Sequence, residues 1–188
     1  MRVLPQPDRS YVHKLTILEN SRNVVKDEEE WDILYFIECL SEDRGLLYRD
    51  RGKPDSKNHK GRQPDRLFED QKTKRQLTVE HTILYSSEKD TKRLDYEIKK
   101  HGYSSGYDRP CSIELAIRLK EVIDGKNRKN QCVHYPEAEK ILLIRNRWLL
   151  ERSIPLFHEC TQYLILTANS NYDHGFILLD TGIILEIF

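Results

Sequence analysis

The stretch from Asp65 to Leu84 is the part of the chain with least conformational choice. Leu67 and Phe68 are followed by a polar turn, Asp70 to Arg75, and then by Gln76 to Leu84, a run enriched in Thr and Val. Two short extended runs on either side of a compact polar turn form an antiparallel hairpin. Side chains alternate across a strand, so Glu80 and Thr82 share one face while Val79 and His81 share the other. Leu77 and Val79 then turn toward a core. Asp65, at the mouth of the first strand, lies across from Glu80 once the hairpin closes.

The rest of the chain supplies layers to cover this hairpin. Asp27 is a good N-cap, Glu28, Glu29 and Glu30 suit a first helical turn, and Trp31 to Leu40 reads as a helix apolar on most sides, with Glu38 as the exception. Thr91 to Lys100 forms a second helix stopped by Gly102. Ser112 caps a third, whose stripe of Ile113, Ala116, Ile117, Leu119, Val122 and Ile123 ends at Gly125. Arg49 to Gln63, with Gly52, Pro54, Asn58 and Gly61 among charges, reads as a mobile loop. From Lys140 the order is apolar run, helix-like segment, apolar run: Ile141 to Ile144, Trp148 to Cys160, Tyr163 to Ala168. That spacing fits a crossover between parallel strands. Phe176 to Leu179 and Ile183 to Phe188 follow, joined by the turn Asp180-Thr181-Gly182. The expected fold is therefore α/β, a central mixed sheet flanked by helices. It forms one domain over residues 1–188, with 1–26 as an N-terminal extension containing a short strand at Leu15 to Leu18.

Composition narrows the function classes. At 188 residues, 33% charged and 38% hydrophobic, the chain has enough apolar runs for a real core. Lys plus Arg and Asp plus Glu both number 31, so total charge selects no polyanionic partner. The distribution is less even: residues 19–43 hold nine acidic and two basic side chains, whereas 44–75 hold eleven Lys or Arg against five acids. No apolar run approaches the roughly 18 residues that span a bilayer. No signal-peptide pattern precedes Asp8, so no membrane association and a cytoplasmic location are expected. The four cysteines are dispersed and read as reduced thiols. Walker, GxGxxG, GxSxG and HExxH patterns are absent from the sequence.

Two carboxylates converging on one point make a hard-oxygen site suited to Mg²⁺ or Mn²⁺. A helix, then Pro64-Asp65, a hairpin bearing Glu80-x-Thr82, and another helix resembles the PD-(D/E)XK nuclease-like superfamily over roughly residues 27–124. The resemblance implies a restriction endonuclease-like core, with Asp65, Glu80 and Thr82 at the catalytic positions. It makes Asp65, Glu80 and the His81 carbonyl the ligands of Mg²⁺ or Mn²⁺, and Glu38 a match for the helix acid of some members. It also implies hydrolysis of a phosphodiester, in DNA ahead of RNA, by metal-activated water. Thr82 departs from the pattern, because the family places a Lys there. Lys74, Lys92 and Lys99 are candidates for a relocated Lys. The alternative is a degenerate member of the superfamily that binds nucleic acid or protein without cutting.

Plainer readings stand beside these. Pro-Asp before a strand is commonly a turn, and a strand Glu is commonly solvated or paired, here with Arg66 or Arg75. The basic stretch from Arg44 to Arg75 reads first as a solvated loop and second as a phosphate-contacting surface. His81 reads equally as a hydrogen-bonded core residue. Cys132-x-His134 and His158-x-Cys160 contain the four residues of a Cys₂His₂ set, but a one-residue gap is not structural zinc spacing.

Overall fold

In the computed structural model of the chain the described residues are 2–6, 24–54, 63–85, 112–146, 170–179 and 181–188. In chain order they form β1 (Arg2–Val3), α1 (Val24–Arg44), β2 (Tyr48–Gly52), β3 (Arg66–Asp70), β4 (Gln76–Leu84), α2 (Ser112–Lys129), β5 (Glu139–Asn146), β6 (His174–Leu178) and β7 (Ile184–Glu186). The strands make one mixed sheet in the order β1-β7-β6-β5-β4-β3-β2. β2, β3 and β4 are antiparallel neighbours, β4, β5 and β6 are parallel, and β7 and β1 return antiparallel. The α/β class and the mixed sheet expected from the sequence are both present.

Strand alternation divides the core into two layers. Ile141 and Leu143 of β5 pack with Phe36, Ile33 and Leu40 of α1, while Leu142 and Ile144 pack with Leu115, Leu119 and Ile123 of α2. The helices therefore cover opposite faces of the sheet. A parallel segment buried on both faces needs continuous apolar runs, as Ile141 to Ile144 supplies. On β4 the expected alternation holds, with Leu77 and Val79 in the α1 layer.

Several boundaries differ from expectation for identifiable reasons. α1 begins at Val24, so Asp27 lies within it instead of capping it, and it runs on to Arg44. The Arg44 guanidinium suits the negative end of the helix and grips Glu139 with two hydrogen bonds of 2.9 and 2.7 Å. The loop expected from Arg49 opens as strand β2. Its charges are matched across the ladder, Arg51 on Glu69 at 2.9 and 2.8 Å and Arg66 on Asp50 at 2.6 Å, which suits an edge strand.

α2 does not stop at Gly125; it continues one turn to Lys129. A helical Gly costs about 1 kcal/mol relative to Ala, which the packed stripe of Leu115, Leu119 and Ile123 readily offsets. The stop is Asn130, at φ 44°, whose N–H returns to the Lys126 carbonyl at 3.1 Å. Asn in this left-handed conformation is a standard helix terminator.

At the other end of the sheet, β6 and β7 form the expected hairpin. Gly182 turns the chain at φ 82°, and its carbonyl accepts a 2.9 Å hydrogen bond from the Tyr35 hydroxyl. Both flanks of β5 are taken by β4 and β6, and among the described residues β6 is the parallel strand that follows it in the chain. Tyr163 to Ala168, expected in that role, lies outside the described residues, as do the segments Leu15 to Leu18, Thr91 to Lys100 and Trp148 to Cys160. Arg2 and Val3, placed by the sequence in an extension, pair with β7. Among the described residues no helix is long and apolar enough to cross a membrane.

Phe36 is fully buried and stacks at a tilt on Phe176, with ring centroids 4.9 Å apart. Phe36→Ala should cost about 3–5 kcal/mol in stability, read as a lowered midpoint in urea unfolding at unchanged slope.

Candidate functional site

The site forms where β4 leaves its antiparallel partner and continues beside its parallel one. Arg66 pairs with Val79, and extending that register by one residue sets Asp65 across from Glu80. The Asp65 carboxylate accepts the His81 N–H at 2.7 Å. Glu80, one residue earlier, turns its side chain to the α2 face at 0% exposure.

There it meets Lys126. The stripe Leu115, Leu119, Ile123 recurs every four residues, and Lys126, three residues beyond Ile123, lies on the same side of the helix, brought onto the sheet because α2 runs through Gly125. The Lys126 ammonium donates to Glu80 Oε1, and to the His81 carbonyl at 2.7 Å. Glu80 Oε2 is buried without a hydrogen-bond partner. Burial, then the Asp65 charge, push the Glu80 carboxyl up to about 7, against the pull of Lys126, and Glu29 on α1 adds to the rise. Lys53 stands at the rim, its Nζ 3.7 Å from Asp65 Oδ1.

The His81 side chain serves the opposite face. Its Nε2 lies 3.1 Å from Asp32 Oδ2 on α1, and Arg145 of β5 donates to the other Asp32 oxygen at 3.0 Å. His81 is thus a hydrogen-bonded core histidine by its ring and a site residue by its backbone, whose N–H holds Asp65 and whose carbonyl holds Lys126.

Asp65, Glu80 and the His81 carbonyl, expected from the sequence, are thus brought together. Thr82 is half-buried on the Glu80 face beside Ile144 in the ladder and brings no positive charge. The charge of Glu38 bears on Cys39, whereas that of Glu29 reaches Glu80. Lys74 is committed to the exposed side of the turn, 3.7 Å from Glu69, and Lys92 and Lys99 lie outside the described residues. Glu80 pairs with neither Arg66, which is held by Asp50 and Glu30, nor solvent. Sequence reasoning missed Lys126 because Gly125 reads as a helix end; continuing the apolar stripe one turn would have found it. Asp32 and Arg145 carried no comparable signal.

Among the described residues no group of three or more His, Cys, Asp or Glu side chains is arranged to hold a metal. The set here is two carboxylates and a backbone carbonyl, all hard oxygen donors, with one buried carboxylate oxygen left without a protein partner. That donor chemistry fits Mg²⁺ or Mn²⁺. Cys132 and His134 lie in different surroundings. Cys132 is buried against the Thr78 hydroxyl at 3.5 Å, with burial pushing its thiol up to about 11, and His134 is exposed. His158 and Cys160 lie outside the described residues.

Compared with known proteins, the chain matches no family model, no curated protein and no solved structure.

Because Glu80 rises from 4.5 to about 7 on folding, the folded state binds its proton more tightly than the unfolded state between those values. Its contribution is therefore most favourable at low pH and is lost as pH rises through that window. Glu80→Gln should remove this dependence, so its melting temperature relative to wild type rises between pH 5 and 8. A constant difference would show that Glu80 titrates normally.

Proposed function

We propose that the chain is a metal-dependent nuclease of the PD-(D/E)XK kind, hydrolysing a phosphodiester of nucleic acid, DNA in the first instance. The observation that carries this reading is the Lys126 ammonium, set against Glu80 and the His81 carbonyl beside Asp65. The strand position that lacks a Lys, Thr82, is compensated by a Lys arriving from α2 on the same face. Element order supports the same reading: α1, a meander ending in the β3–β4 hairpin, α2, then β5 parallel to β4.

The residues divide the work by chemistry. Asp65, Glu80 and the His81 carbonyl would hold Mg²⁺ or Mn²⁺, which when bound supplies the Lewis acidity that makes water nucleophilic near neutral pH. Lys126 supplies the localised positive charge that a developing phosphoryl oxyanion needs in a site sheltered from water. Asp32 holds the His81 ring, and through it the backbone groups that face the site. Lys53 at the rim, and the exposed Arg128 and Lys129 in the last turn of α2, offer contacts to phosphates. Three of the six arginines in the basic stretch are otherwise engaged: Arg44, Arg51 and Arg66 are held by carboxylates.

A second reading has one observation in its favour. Lys126 already neutralises Glu80, as it would in an eroded domain that binds nucleic acid without metal.

The test incubates labelled DNA and RNA with the protein and Mg²⁺ or Mn²⁺. Cleavage by wild type, with losses of about 10²-fold or more for Glu80→Ala and Lys126→Ala in folded protein, is the expected result. Salt-sensitive DNA binding without cleavage in either metal would select the non-catalytic module.

A further inference from the structure

We infer that Lys126 is the resident counter-ion of the metal site, so that its ammonium and a divalent cation exclude one another on Glu80 and the His81 carbonyl. The inference rests on the metal-site reading above and concerns what the chain's own lysine does there. Nζ is within hydrogen-bonding distance of Glu80 Oε1 and lies 2.7 Å from the His81 carbonyl oxygen, the same two oxygens assigned to the metal. A Mg²⁺ ion takes its oxygens at about 2.0–2.1 Å. An ammonium nitrogen that close to both oxygens already occupies the space between them, and two cations placed there would repel strongly in a water-poor setting.

Other features fit an exchange. Glu80 Oε2, buried and unpartnered, is an acceptor that the ammonium leaves unused. Lys126 sits in the last turn of α2, immediately before Asn130 ends the helix, on a flexible four-carbon stem. Its side chain is 14% exposed, whereas Glu80 is fully enclosed, so the lysine is the partner with room to leave. Arg145 is on the other face, fixed to Asp32, and supplies no second cation to Glu80. In the metal-free protein the lysine keeps a buried carboxylate paired. Once released, the same ammonium is free for a phosphoryl oxygen.

Mn²⁺ binding to the full chain, measured by calorimetry and by the electron paramagnetic resonance of free Mn²⁺, tests this. Lys126→Met and Lys126→Gln should each bind Mn²⁺ at least about tenfold more tightly than wild type, with cleavage lost. A second arm uses wild type alone. Acylation of Lys126, followed by peptide mass spectrometry against the exposed Lys120, should rise severalfold when Mn²⁺ or Ca²⁺ is added. If the variants fail to fold by circular dichroism, the labelling arm decides. Wild type and folded variants binding Mn²⁺ equally, or Lys126 labelling that ignores a bound cation, would overturn the inference and leave the metal site standing. No Mn²⁺ binding by wild type or either variant would overturn both.

Discussion

Glu80 stands at 0% exposure on a strand paired on both edges and covered on both faces, where an unpaired carboxylate would cost several kcal/mol. Much of the local architecture answers that cost. α2 must pass Gly125 to deliver Lys126, and Asn130 must end it directly afterwards. The His81 backbone must present its carbonyl to the same ammonium while its N–H holds Asp65, which keeps the second carboxylate close enough for its charge to bear on Glu80. Even so, Glu80 binds its proton more tightly than a free glutamate does, because burial and Asp65 outweigh Lys126.

How much of this was legible depended on whether the relevant signal was local. The hairpin, the inward Leu77 and Val79, the apolar β5 and the β6–β7 turn all follow from alternation and turn chemistry, which act over a few residues. Asp65 opposite Glu80 followed from the same hairpin logic. β2 was not legible, since Tyr48 to Gly52 is charged and becomes a strand only because Glu69 and Arg66 on β3 match its charges. Lys126 was hidden by a stop signal that tertiary packing overrode. Asp32 and Arg145 come together across 113 residues of sequence, a distance over which no pattern in one chain speaks.

Charge is also sorted by position. Away from the site, Arg44, Glu139, His174 and Glu186 link the start of β5 and β6 to α1 and β7, joined there by Arg2, which reaches both Glu186 and Asp43. These pairs are partly solvated and individually weak, so they fasten edges and helix ends without sustaining the core. The planar guanidiniums are used mainly as internal clamps, whereas Lys53 and Lys74 remain largely exposed.

The pair on β4 also bears on how the sheet assembles. A slip of one residue in a strand carries every side chain to the opposite face. For β4 that would carry the Glu80 carboxylate to the α1 face, away from Lys126 and toward the layer of Phe36, Phe68 and Ile141, where Arg145 is already held by Asp32. An all-apolar β4 would tolerate such a slip between β3 and β5 far more readily. The costly buried charge thus acts as a key with one orientation: it admits a single alignment of the central strand, and hence of the eight residue pairs it makes with β5.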